Sequence, residues 1–227
     1  MDRTKWPGRA VLPVAVPGIK YIVGAAFLTG LFFYLGWTVA GIVAAVLTLF
    51  TGFFFRDPDR RPPDGDDRLV SPADGRVILV DRGVYPEYLP EECRKVSIFM
   101  NVFNVHVNRF PLDGVVEKVV YTPGRFMNAS FDKASEFNER NALTVRTSKG
   151  LQFVVVQIAG LIARRIVNGA RTGSRLHRGE RYGMIQFGSR LDLYLPATCR
   201  IRVQTGDRTR AGETVIAEMP SLPAEPM

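Results

Sequence analysis

The residues best placed for chemistry are Gly188-Ser189, within Phe187-Gly188-Ser189-Arg190. They interrupt an alternating apolar and polar run, Tyr182 to Pro196, that otherwise reads as a strand. Glycine inside a strand weakens it and marks a bulge or a strained turn. The serine hydroxyl directly follows the glycine carbonyl. Strain at that bond favours attack by the serine on its own preceding carbonyl, the first step of self-cleavage to a pyruvoyl group. For the dipeptide taken alone an ordinary β-bulge is the stronger reading, and only the surrounding residues change that.

Supporting groups are few. The chain has two histidines. His106 closes an apolar strand, Met100 onward, shortly before Pro111, whereas His177 lies in the polar loop Arg171–Arg178. Each is either a proton-transfer group or a hydrogen-bonded structural residue, with His106 the better placed. Asp74, in Val70-Ser71-Pro72-Ala73-Asp74-Gly75-Arg76, reads by itself as a turn aspartate. No Gly-x-Ser-x-Gly elbow, phosphate-binding glycine loop or zinc-ligand spacing occurs, so a nucleophilic hydrolase and a metalloenzyme lack support. Cys93 and Cys199 are far apart and read as reduced thiols.

The elements that must position these groups begin with a basic segment, residues 1–20, and an apolar one. Tyr21–Phe55 is 35 residues without a charge. That exceeds the need of one spanning helix, about 20 residues, and suffices for two short ones. The break belongs at Leu35-Gly36-Trp37. Arg3, Lys5, Arg9 and Lys20 precede the segment, and Arg56, Arg60 and Arg61 follow it. The positive-inside bias then puts both ends of a membrane hairpin in the cytoplasm. A buried helix pair and a re-entrant hairpin are the other readings. A cleaved signal peptide fits poorly, because the stretch ends in Phe53-Phe54-Phe55-Arg56 rather than in small residues.

Residues 56–67, rich in Pro, Asp and Arg, read as a linker to a catalytic domain over 68–227. Eight short β-type runs follow: Leu69–Asp81, Lys95–Val102, Gly114–Tyr121, Ala142–Thr147, Gln152–Ala159, Tyr182–Leu195, Thr198–Gln204 and Glu213–Met219. They predict a mainly β sandwich or barrel. Arg125–Arg140 lacks the alternation and reads as a loop or a short helix crossing the sheet. A "Gly-acid, then strand" rhythm at Gly179-Glu180 and Gly206-Asp207 resembles the barrel-sandwich folds of lipoyl and biotinyl carriers, though two occurrences make little of a repeat. The formal net charge of +8 suits an anionic membrane or an anionic substrate. Without a nucleic-acid motif or aromatics set in a basic stripe, a nucleic-acid partner is not expected.

Five segments then occur in a familiar order. Ser71-Pro72-Ala73-Asp74-Gly75, Asn104-Val105-His106-Val107-Asn108-Arg109-Phe110-Pro111, Asn138-Glu139-Arg140, Gly179 through Arg190, and Leu191 through Pro196 resemble the short form of the phosphatidylserine decarboxylase family. The resemblance runs from about Val70 to Met219. It implies a proenzyme that cuts itself between Gly188 and Ser189 into residues 1–188 and 189–227, which remain associated. Ser189 would become the covalent pyruvoyl cofactor. The substrate amine would form a Schiff base with it, CO2 would leave, and phosphatidylserine would become phosphatidylethanolamine.

His106 matches the first histidine of the family's His-x-x-His-x-Pro pattern and takes the proton-transfer role. Asp74 matches an aspartate linked in the family to a serine-protease-like relay for self-cleavage. The second histidine of that relay is Arg109 in this chain, and arginine cannot act as a base at neutral pH. His106 serving both steps, or strain with Asp74, stand as alternatives. Arg109 is then a candidate for the substrate's phosphate or carboxylate. Asn138, Glu139 and Arg140 either line a headgroup pocket or form a solvated charged loop. No metal is expected, a homo-oligomer is open, and the catalytic face belongs on the cytoplasmic side of the cell membrane.

Two rival functions remain. The same chemistry fits serine on another lipid backbone, such as archaetidylserine. A non-catalytic, membrane-anchored binding module is the other, but Lys118, Lys133 and Lys149 do not sit in a tight carrier-type hairpin.

Overall fold

The computed structural model describes residues 13–124, 137–160, 165–186 and 188–220. Phe187 lies outside them, as does most of the Arg125–Arg140 segment read as a loop or crossing helix. The chain divides into two units, one containing Gly8–Asp59 and one containing Arg60–Met227.

In the first unit a short 3-10 turn, Val16–Gly18, leads into helix α1 (Ile19–Tyr34), and α2 (Thr38–Phe54) returns. The break falls at the expected Leu35-Gly36-Trp37, where Gly36 takes φ 74. No side chain caps either helix, and neither end turn carries the acidic or basic residues that suit a helix dipole in water. The polar groups are satisfied internally. Thr29, Thr48 and Thr51 each donate to the carbonyl four residues back, and the Thr29 and Thr48 hydroxyls meet at 3.0 Å between the helices. Large apolar side chains face outward, among them Phe27, Val39 and Leu49. Val16–Tyr34, with mean hydropathy 1.6, is long and apolar enough to cross a bilayer, and Thr38–Phe54 is a shorter apolar helix. Hydrogen bonds closed within the segment and apolar side chains turned outward suit a lipid solvent.

The second unit is mainly β. Its first seven strands are β1 (Arg68–Val70), β2 (Gly75–Val84), β3 (Cys93–Met100), β4 (Val107–Arg109), β5 (Gly114–Thr122), β6 (Arg140–Arg146) and β7 (Gln152–Ala159). The remainder are β8 (Ile166–Asn168), β9 (Arg175–Leu176), β10 (Arg181–Ile185), β11 (Ser189–Pro196), β12 (Arg200–Ile201), β13 (Arg208–Thr209) and β14 (Val215–Glu218). Eight form an antiparallel sheet in the order β13-β2-β3-β11-β7-β6-β5-β9. Two three-stranded sheets, β4-β10-β8 and β1-β14-β12, complete the unit. Bulges in β2 and β5 bend the large sheet, so that it curls into a half-barrel.

One face of the large sheet carries the main core, including Ile98, Met100, Val155, Leu191 and Leu193. Tyr182 and Ile185 of β10 and Leu69 of β1 join that core. The other face carries Cys93, Val154, Val156, Ile158 and Tyr194, with Tyr88 and Leu89 packed against them. The unit is mainly β and barrel-sandwich-like, within the sandwich or barrel class that the strand spacing predicts.

Two runs read as single strands are each divided. Leu69–Asp81 breaks at Ser71–Asp74, so β1 and β2 enter different sheets. Tyr182–Leu195 breaks at Gln186–Gly188, so β10 joins one small sheet and β11 the centre of the large one. Gly188 is therefore a junction between sheets rather than a bulge within one strand.

Candidate active site

Ser189 opens β11 in the middle of the large sheet, opposite Met100 of β3 on one side and Ala159 of β7 on the other. Both neighbours belong to the main core, so strand alternation turns the Ser189 side chain to that face. The residue is wholly buried, and its Oγ has no hydrogen-bond partner among the described residues. An unsatisfied buried hydroxyl costs about 1–3 kcal/mol. Gly188 has φ +67, a conformation that costs an L-residue roughly 1–2 kcal/mol and glycine almost nothing. The cost therefore falls on Ser189, while Gly188 is the residue type that takes this backbone with little strain. Outliers of this kind gather at functional sites.

His106 is fully buried immediately before β4, with Nδ1 3.0 Å from the Asn104 carbonyl. A carbonyl only accepts, so Nδ1 carries the proton in the neutral ring and Nε2 is its basic nitrogen. The ladder of β4 with β10 pairs Val107 with Met184. Extended by one residue, it sets His106 opposite Ile185, just before the junction.

Asn108, two residues on, lies on the same side of β4. Its Nδ2 approaches Met100 Sδ at 3.8 Å, and its Oδ1 accepts from Gln157 Nε2 at 2.9 Å. Met100 and Gln157 sit on the two strands flanking β11, so the Asn108 amide bridges across β11 beside Ser189. Asn141 Nδ2 extends this chain to Gln157 Oε1 at 3.4 Å. All three amides are buried. Sequence reasoning missed Asn108, Gln157 and Asn141, although an amide inside the apolar run Phe153–Ala159 is a visible signal.

Asn138 is wholly buried and donates from Nδ2 to the Ala159 carbonyl at 2.8 Å, which holds the end of β7 beside Ser189. Glu139 is buried next to it, and its carbonyl accepts from the Ala159 amide. Arg140 is not brought to Ser189. It pairs with Ile158, which faces the opposite side of the sheet. There Arg140 Nε donates to the Tyr88 hydroxyl at 3.0 Å and a terminal nitrogen to Glu87 at 3.1 Å. Burial, and then the bond to Glu87, push the Tyr88 phenol up to about 12, so it remains protonated.

Asp74 and Arg109 form a separate group. Asp74 Oδ1 accepts from the Ala211 amide at 2.7 Å, and Oδ2 pairs with Arg60 at 3.0 Å. Arg60 also reaches Glu213 at 3.3 Å. Arg109 donates from its guanidinium to the Gly179 carbonyl at 3.0 Å and from its amide to the Pro72 carbonyl. It lies on the side of β4 away from His106. The contacts of Asp74 therefore do not join it to His106, and Arg60, in the segment read as a linker, is its cationic partner. Asp74→Ala should lower stability by about 1–3 kcal/mol, because Arg60 and the Ala211 amide lose their acceptor. Denaturant melts check this, and Asp74→Asn, which keeps the acceptor for Ala211, should lose less.

Cys93 and Cys199 are both buried. Burial raises the Cys93 thiol and pushes Cys199 up to about 12, so neither supplies a thiolate near neutral pH. Among the described residues no cluster of His, Cys, Asp or Glu could hold a metal. His177 is exposed and pairs with Asp113 at 3.2 Å, far along the sheet from Ser189.

The fold and these groups together define a mainly β domain, joined to an apolar helical hairpin, whose buried polar residues gather round one serine. The model of the phosphatidylserine decarboxylase family matches residues 47–217. A phosphatidylserine decarboxylase proenzyme from Syntrophus aciditrophicus is 50% identical over 202 residues, 88% of this chain and 95% of its own length. Proenzymes of the same description from Geotalea uraniireducens and a Geobacter strain are 47% and 49% identical, each over 92% of this chain and 97% of its own length. The chain belongs to the phosphatidylserine decarboxylase family.

Proposed function

We propose that this chain is a membrane-associated proenzyme that cuts itself at Gly188–Ser189 and then decarboxylates phosphatidylserine to phosphatidylethanolamine. The observation that carries the reading is the buried Ser189 hydroxyl, without a hydrogen-bond partner, directly behind a glycine at φ +67.

In the uncut chain, Ser189 Oγ attacks the Gly188 carbonyl carbon, and the amide becomes an ester. Elimination across Cα and Cβ of residue 189 then releases residues 1–188 with Gly188 as a carboxylate. Hydrolysis of the dehydroalanine that remains, with loss of ammonia, leaves a pyruvoyl group on the Arg190 nitrogen. The site fits that group: Ser189 is buried, flanked by Met100 and Ala159, and its hydroxyl makes no hydrogen bond among the described residues. Held there between Met100 and Ala159, a pyruvoyl group would supply an electron sink for the pair left by CO2.

The chain's own residues do the rest. His106 exchanges a proton through Nε2, with Nδ1–H held on the Asn104 carbonyl. Asn108 and Gln157 keep the core face beside residue 189 polar. Asn138 fixes the end of β7. Arg109 is proposed for the phosphate or carboxylate of the substrate, and Asp74 for holding Arg60 and the Ala211 turn during self-cleavage. Arg140 is directed at Glu87 and Tyr88, on the sheet face away from the Ser189 side chain.

Residues 21–55 serve as a membrane hairpin with both ends in the cytoplasm, which brings the enzyme and its lipid substrate to one surface. The excess of Lys and Arg adds attraction to anionic lipid, on the order of 1 kcal/mol per residue near the surface. Removing residues 1–55 should give a chain that needs less detergent yet still cuts itself. Loss of cutting on truncation would assign the hairpin a role in folding. Intact mass spectrometry of purified full-length protein tests the central reading. The 25.3 kDa chain should give way to two, the smaller beginning at residue 189 with a ketone in place of an amine. A single unbroken, active chain overturns it.

A further inference from the structure

Arg190 and Asp192 are fully buried, and the chemistry above uses neither. Alternation along β11 turns them, with Tyr194, to the face opposite the Ser189 side chain. There Arg190 Nε donates to Asp192 Oδ1 at 2.6 Å, and a terminal guanidinium nitrogen donates to Ser97 Oγ of β3 at 2.9 Å. Lys95, also on β3, places Nζ 3.2 Å from Asp192 Oδ2 and 5.3 Å from the centroid of the Tyr194 ring. Two cations thus share one carboxylate inside the protein. Such networks are poor stabilisers, because desolvation offsets most of their attraction. What this one supplies is geometry. A planar guanidinium holding acceptors on two strands selects one rotamer and one register.

The position of the network gives that geometry a use. On the self-cleavage reading, on which this inference rests, residue 189 becomes an acyl cap on the nitrogen of Arg190. Arg190 is then the first amino acid of the smaller chain. A new chain end frays unless it is tied down, and this end carries the reactive carbonyl. We propose that the Arg190–Asp192–Ser97–Lys95 network is a clamp that keeps the new terminus seated between β3 and β7 once its bond to Gly188 is gone. Arg190 is a positioning residue: it fixes the group its nitrogen bears and does not touch the substrate.

The test compares full-length wild type, Arg190→Met and Arg190→Lys in detergent. Arg190→Met leaves Asp192 paired with Lys95, so the carboxylate is not stranded. The Met variant should be cut to the same two chains, carry the same ketone by mass, and show kcat per cut molecule reduced about tenfold or more with KM nearly unchanged. Amides of residues 190–193 should exchange hydrogen faster than in wild type, and the Lys variant should fall between. A cut Met variant with wild-type kcat overturns the clamp. So does a folded variant that stays uncut, since the network would then act before cleavage. A loss of kcat that merely follows a loss of folded protein in thermal melts also overturns it. If the Met variant does not fold, the kcat and exchange of the Lys variant decide. Active but unbroken wild type would instead refute the self-cleavage reading.

Discussion

Ser189→Ala is expected to remain one chain and to lose decarboxylation entirely. The substitution removes the hydroxyl that attacks the Gly188 carbonyl, so no pyruvoyl group forms. The structure separates this outcome from simple unfolding. Ser189 Oγ has no hydrogen-bond partner among the described residues, so its removal breaks no bond in the core. Deleting an unsatisfied buried hydroxyl relieves a cost of about 1–3 kcal/mol, which outweighs the small packing loss of one oxygen. Ser189→Ala should therefore melt no lower than an uncut wild-type chain. A denaturing gel and a thermal melt on the same preparation check both parts. Cleavage in the variant would place the cut elsewhere, and turnover without cleavage would remove the pyruvoyl group from the mechanism.

His106→Ala should retain some or all cleavage yet lose decarboxylation by about 10²- to 10⁴-fold, the usual worth of a positioned acid or base. The ring is buried, with Nδ1 engaged at the Asn104 carbonyl, which fixes its tautomer. His106→Gln is the better control, because a glutamine amide can donate to a carbonyl but cannot exchange a proton near neutral pH. Equal losses in both variants assign the effect to proton transfer. Recovery in Gln alone would assign it to packing, and normal turnover in either would remove His106 from the reaction. Whether the variants still cut also bears on the cleavage base. The arginine at the second histidine position is turned to the Gly179 carbonyl, and Asp74 is taken by Arg60 and Ala211. Loss of both activities in His106→Ala would make that histidine serve both steps.

Much of this arrangement is legible in the sequence alone. The uncharged stretch Tyr21–Phe55 and the glycine at its centre read directly as two helices and a turn, because helix hydrogen bonds are local and the apolar run needs no partner to declare itself. The separate strands were equally visible, since alternation is a property of neighbouring residues. The shortest ones, such as Ile166–Asn168 and Arg208–Thr209, were not, because two or three residues carry no period.

The candidate serine and histidine and the mainly β character are legible in the order of residues alone. Three matters were settled only in the folded chain: the sheet change at Gly188, the turning of Arg140 to Glu87 and Tyr88, and the pairing of Asp74 with Arg60 from the segment read as a linker. The reason is physical. Periodicity tells which residues share a side of a strand, but which side meets the core, and which distant charge waits there, depends on strands brought together from far along the chain.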